Sequence, residues 1–261
     1  MGFGLFVPEF RSAFSMSTST VGFVSSLGFM GFFLGLLAAQ WVLSRRGPAA
    51  PVLSGLAAAS VGLAMVAVAQ NVIVLAAGVF VAASSAGFAW TPFNEAVRRK
   101  IQDADSPSAL SKISSGTSVG IFATGLAALW LTYAGISWRV CWMVFAIAAL
   151  IALLANFVVL RRIEKLPTHK QSDHKWTSLL QAVAIPLFVV AFVFGATSAI
   201  YIAFAVDHMT NVGGIPGLSK DTTPPLVFVL YGLFGLTGLL TAHVKDLVGL
   251  TWLVRLLMLA G

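Results

Sequence analysis

Runs of about 20 apolar residues, separated by short polar clusters, set the pattern of this chain. A helix of that length crosses a hydrocarbon core of ~30 Å, whereas a barrel strand needs only about 10 residues. The blocks extend roughly over Thr20–Leu43, Pro51–Ala69, Val72–Phe93, Ile113–Tyr133, Val140–Leu160, Leu179–Val206 and Leu226–Val244. Ahead of them lies a stub, Gly2 to Val7, which Pro8 and the polar turn Glu9-Phe10-Arg11 are expected to halt; after them a block opens near Leu247 and stops at Gly261. The pattern predicts an all-α polytopic membrane protein, with spans 2–8 complete and spans 1 and 9 partial. Both ends are expected to be truncated.

The polar clusters carry the orientation. When spans alternate, twelve basic residues fall on one side: Arg45, Arg46, Arg98–Lys100, Lys112, five between Arg161 and Lys175, and Lys245. The other side holds only Arg11, Arg139 and Lys220, and Arg255 falls inside the last block. An excess of that size marks the cytoplasmic side. The segment Arg161–Lys175, polar and containing Pro167, reads as a cytoplasmic linker. It divides an N-terminal bundle (1–160) from a partial C-terminal bundle (177–261), with the linker at 161–176. An integral protein of a bacterial cytoplasmic (inner) membrane is the expected setting.

Composition agrees with this pattern and narrows the chemistry. Apolar residues make up 58% and charged residues 10%, too few charges to cover a soluble surface. The net charge of +7 lies in scattered clusters rather than a stripe, so nucleic acid is not an expected partner. Cys141 is the only cysteine, which leaves no internal disulfide and no thiolate zinc cluster. His169 and His174 sit in the linker and are not expected to bind metal. No basic region follows Met1, so no cleavable leader is expected. Without an HExxH, a G-x-S-x-G elbow or a phosphate-cradling glycine loop, neither an enzyme nor an ATP-driven pump is expected. No catalytic residue and no cofactor is assigned.

An internal repeat supports the two-bundle division. Gly28, Gly31 and Gly35 on span two precede a turn at Gly47, and Gly232, Gly235 and Gly238 on span eight precede one at Gly249. Small residues at such spacing let helix backbones approach in lipid, and parallel six-span repeats are one transporter architecture.

With these features in place, the sequence resembles the major facilitator superfamily over essentially its whole length. The turn Gln40–Gly47 is similar to the family's G-x-L-x-D-R-x-G motif, matching at Arg45 and Gly47, with Ser44 in place of the acid and Gln40 in place of the first glycine. The turn Ala242–Gly249 keeps the acid as Asp246 and the glycine as Gly249 but lacks the arginine. Span four, with Gly78, Gly87 and a break at Trp90-Thr91-Pro92, and the Ser137-Trp138-Arg139 start of span six resemble family patterns too. Two departures lower the expectation of a proton-coupled drug exporter. Val74 stands where such members carry an arginine, and Gly116, Gly120 and Gly125 occur without the fifth-helix proline.

The resemblance implies secondary transport of a small solute by alternating access, possible coupling to a proton or ion, and the lipid bilayer as surroundings. Uncoupled facilitation and a non-transporting or degenerate membrane protein are the alternatives. Substrate cavities in such a fold lie near the midplane, so helix-face pairs Trp90 with Asn94 and Thr197 with Tyr201 are the cavity candidates. Glu95, Arg45, Gly47, Asp246 and Gly249 are the gating and latch candidates, although an interfacial pair with Arg98 or Arg99 is the simpler reading of Glu95. Glu9 and Arg11 facing Asp207 and His208 form a further potential gate at the outer end, with solvated loops the simpler reading. Ser84 and Ser85 are expected to serve close packing, and Asn156 to bond between helices.

Overall fold

Helix is the only regular structure among the described residues of the computed structural model. These are residues 2–100, 106–160, 185–212, 217, 219 and 222–240, with 244, 247–249, 252 and 255 beyond; side chains at 91, 93–100, 106, 107, 110, 160, 186–188, 191, 194 and 210 are not among them. In chain order the helices are α1 (Gly2–Leu5), α2 (Val7–Phe14), α3 (Thr18–Arg46), α4 (Ala49–Ala67), α5 (Val72–Lys100), α6 (Ser106–Tyr133), α7 (Trp138–Leu160), α8 (Ile185–Asn211) and α9 (Thr223–Gly235). A short 3-10 turn, Leu236–Leu240, extends α9. Six stretches, in α3 to α7 and in α9 with its extension, are long and apolar enough to cross a membrane. The expected linker, 161–175, lies outside the described residues.

Proline does not end the first segment as expected. Pro8 occupies the first turn of α2, where a missing N–H costs nothing, so Glu9, Phe10 and Arg11 are helical. α2 stops instead at Ser15, which adopts the left-handed conformation (φ 51°) and returns its N–H to the Arg11 carbonyl. Ser17 then caps α3 by accepting from the Thr20 N–H at 3.1 Å. Likewise α5 runs through Pro92 to Lys100 without the expected break.

Most large apolar side chains face outward: Ile73 is 80% exposed, Phe192 76% and Trp130 68%. Water would reject such a surface and lipid accepts it. With little hydrophobic drive between helices, contact depends on backbone fit. α5 lies between α3 and α4, and glycines line both contacts. A Cβ on Gly31 or Gly35 would collide with the carbonyls of Phe80 and Ser84, and one on Gly87 with the backbone of Phe32 to Leu36. On the other flank Gly62 meets Ala82, and Gly78 meets Val66. Ser84 and Ser85 serve this packing with hydroxyls returned to their own helix, at Val81 O and Ala82 O. α4 packs in turn on α7.

Aromatic rings fix the first segment to α7. Phe3 of α1 and Phe6, between α1 and α2, each contact Phe10 of α2, and Phe10 meets Trp138 edge-on at 5.0 Å and Trp142 at 5.9 Å. Asn156 of α7 differs from expectation. Its amide donates to the Ala152 carbonyl of its own helix, at 2.9 Å, which satisfies the donor locally rather than across to a neighbour.

Candidate functional site

Two seams join α1–α7 to α8 and α9. Along one, α6 meets α9 through small residues: a Cβ on Gly232 would strike the backbone of Phe122, and Gly125 faces Val229 in the same way. α6 therefore supplies the partner for the small-residue face of α9. On α8, nothing among the described residues lies within 4 Å of a Cβ added at Gly195. Toward the end of α6 that carries Lys112 the seam opens into a groove of about 550 Å3, counting its open mouth, lined by Ser111, Ser114, Ser115, Ser118, Gly235 and Gly238. The Ser111 hydroxyl crosses it to donate to the Gly238 carbonyl at 2.7 Å. The four serines recur at the spacing of one helix face. Sequence reading passed over this stripe because hydroxyls barely interrupt an apolar block.

The second seam sets α1, α2 and the start of α3 against α8. Gly4 lets α1 touch the backbone at Ile202 and Ala203, and Gly22 of α3 faces the Phe204 ring at 3.6 Å from an added Cβ. At its end Arg11 Nε lies 2.9 Å from Asp207 Oδ1. Asp207 is buried, with only 7% of its surface exposed. Solvated loops were the simpler expectation here. α2 and α8 instead bring these charges together, and the contact is an ion pair rather than a well-aimed hydrogen bond from Nε.

Of the expected cavity residues, Trp90 lies on α5 with its side chain 40% exposed. Asn94 and Glu95 follow on the same helix, but their side chains lie outside the described residues. Thr197 on α8 is exposed and returns its hydroxyl to the Val193 carbonyl at 2.8 Å. Tyr201 lines an apolar groove between α8 and α9 with Ile202, Ala205, Val206, Val227, Phe228 and Tyr231. Trp90 and Thr197 do not join it. Tyr231 was not anticipated; the available signal was rarity, since the chain has only three tyrosines and this one sits inside an apolar block.

At the expected latches, the Arg45 guanidinium stacks on Trp41, 4.3 Å from the ring centre, and Ser44 donates to the Trp41 carbonyl at 2.8 Å. Gly47 closes α3 with φ 75° and ψ −178°, and Gly249 has φ 79°. Nothing lies within 4 Å of a Cβ at either position, so backbone conformation rather than crowding calls for glycine at both. Asp246 lies outside the described residues. Gly47→Ala should destabilise the protein by about 2 kcal/mol, because that region of backbone space is nearly closed to a side chain. Thermal unfolding in detergent would test this, and an unchanged midpoint would refute it.

Compared with known families, the whole chain, residues 1–261, matches the family model described as Major Facilitator Superfamily. No curated protein matches it.

Proposed function

The chain belongs to the major facilitator superfamily, whose members move small solutes across membranes, and on that premise we propose secondary active transport by alternating access. The observation that carries the proposal is the pair of seams. Spans one to six meet α8 along one line and α9 along another. Two bodies that touch along such lines can rock without unfolding either, exposing a midplane site first to one side and then to the other.

In this reading, residues 1–160 form one bundle and 177–261 part of the other, with 161–176 as a cytoplasmic linker in a bacterial inner membrane. Solute passes between Trp90 and Asn94 on one side and Thr197 and Tyr201 on the other. Tyr231 belongs with Tyr201, since both line one groove. The turns at Arg45–Gly47 and Asp246–Gly249, with Glu95, act as cytoplasmic latches whose partners change between states. Asp246→Asn should then slow turnover about tenfold while changing solute affinity less than about threefold. Equal losses in both would show that Asp246 supports the solute site instead.

Uncoupled facilitation is favoured by one observation. The stretches Ala49–Ala67, Val72–Trp90 and Thr223–Leu240 contain no Asp, Glu, Lys, Arg or His at all. A coupling proton or ion ordinarily needs an ionisable group at membrane depth. Reconstituted vesicles separate the readings: active transport accumulates solute uphill when a proton or sodium gradient is imposed, and a facilitator only equilibrates it. Failure of any solute in a broad panel to move in either mode would sink both.

A further inference from the structure

Arg11 is bound to its own bundle before it meets α8. One guanidinium nitrogen donates to the Met16 carbonyl at 3.2 Å and another to the Thr18 hydroxyl at 3.0 Å, while the Arg11 carbonyl accepts the Ser15 N–H that closes α2. Its position in the last turn of α2 also suits a cation, because helix carbonyl ends are negative. Asp207 is placed in the opposite sense. It sits near the carbonyl end of α8, buried, where the helix dipole disfavours a carboxylate. A buried acid so placed relies on an outside cation, and the cation that faces it at 2.9 Å belongs to the other bundle. Around the pair the seam is tight, with Gly4 on the α8 backbone and Gly22 against Phe204.

We propose that the Arg11–Asp207 ion pair is the latch that closes this seam at the end opposite the basic clusters, with Arg11 as the fixed half and Asp207 as the half that departs. The inference rests on the alternating-access reading. When the seam opens, Arg11 keeps its contacts to Met16 and Thr18, and Asp207 gains water.

The test uses the whole chain in membrane vesicles, with Cys141→Ala as background and one new cysteine at a time. Gly22→Cys reports on the latched seam, where an added Cβ meets the Phe204 ring at an ordinary contact distance of 3.6 Å. Ser114→Cys reports on the serine-lined groove at the other end. The probe is a membrane-impermeant maleimide, applied to right-side-out and to inverted vesicles. Asp207→Asn should raise the labelling rate at position 22 by about tenfold, the scale of one coupling between two states, and Asp207→Glu should keep it low. Arg11→Gln should act as Asp207→Asn does, and it decides the matter if the latter is not recovered folded. Unchanged labelling at position 22 in a folded, discharged variant overturns the latch, as does equal labelling in the Asn and Glu variants. The second reporter separates the underlying reading. Reduced labelling at position 114 when position 22 opens means that the two ends alternate. An opened position 22 with an unchanged position 114 leaves the latch standing and removes alternating access.

Discussion

Gly87→Ala should lower the unfolding midpoint in detergent by roughly 6–12 °C, although alanine is the better helix former by about 1 kcal/mol. The reversal comes from position. A methyl on Gly87 would enter the backbone of α3 between Phe32 and Leu36, where no flexible side chain can move aside. The helices must separate, and the lost contact plus strain should cost about 3 kcal/mol. Gly116→Ala on α6 is the internal control, because nothing lies within 4 Å of its added Cβ. That variant should be neutral or stabilised by up to about 1 kcal/mol. Tryptophan fluorescence melts of the two variants decide the point, and a shared direction of change would refute the packing account.

The second large effect belongs to Arg139. Its guanidinium donates to the carbonyls of Ala67, at 3.1 Å, and Ala69, just where α4 ends and its last carbonyls lack helical partners. It also lies 4.4 Å above the Trp138 ring and 5.9 Å from that of Phe14. Arg139→Ala removes a charged donor from two carbonyls and leaves them poorly satisfied, an expected loss of about 3 kcal/mol. Arg139→Lys should recover only part of this. Both bonds leave the single nitrogen Nη1, so an ammonium could still donate to the two carbonyls, but it lacks the flat guanidinium face that lies over Trp138. Chemical denaturation followed through the tryptophans would show the order wild type, Lys, Ala; a lysine variant as stable as wild type would contradict a contribution from the stacked guanidinium face.

The sequence made the membrane spans legible because lipid imposes one strong rule, about 20 apolar residues per crossing. The Ser137-Trp138-Arg139 start of span six and the matched glycine turns could be read for a similar reason, since local chemistry fixes both. What failed to show depended on partners far along the chain. Arg11 and Asp207 can be named from the sequence as a potential pair, but solvated loops are the simpler reading until α2 and α8 bring them to 2.9 Å. Pro8 looked like a stop because a proline at the first turn and a proline that breaks a helix have the same letter; only the helix start at Val7 distinguishes them. Asn156 suggested a bond between helices, yet a carbonyl four residues back was nearer. Tyr231 was hidden among apolar neighbours, and its meeting with Tyr201 depends on how α8 lies on α9.

The position of α5 between α3 and α4 also has a consequence for biogenesis. α3 leaves the ribosome before α4, yet the helix that covers its glycine face, α5, is complete only at Lys100. At ordinary elongation speeds that interval lasts roughly three to ten seconds. Throughout it, Gly31 and Gly35 face lipid or whatever the insertion machinery offers, and α4 waits for the same late partner. Arrival of α5 mates both early helices in one event, so assembly of the N-terminal half is gated by translation of its third full span rather than built up pair by pair.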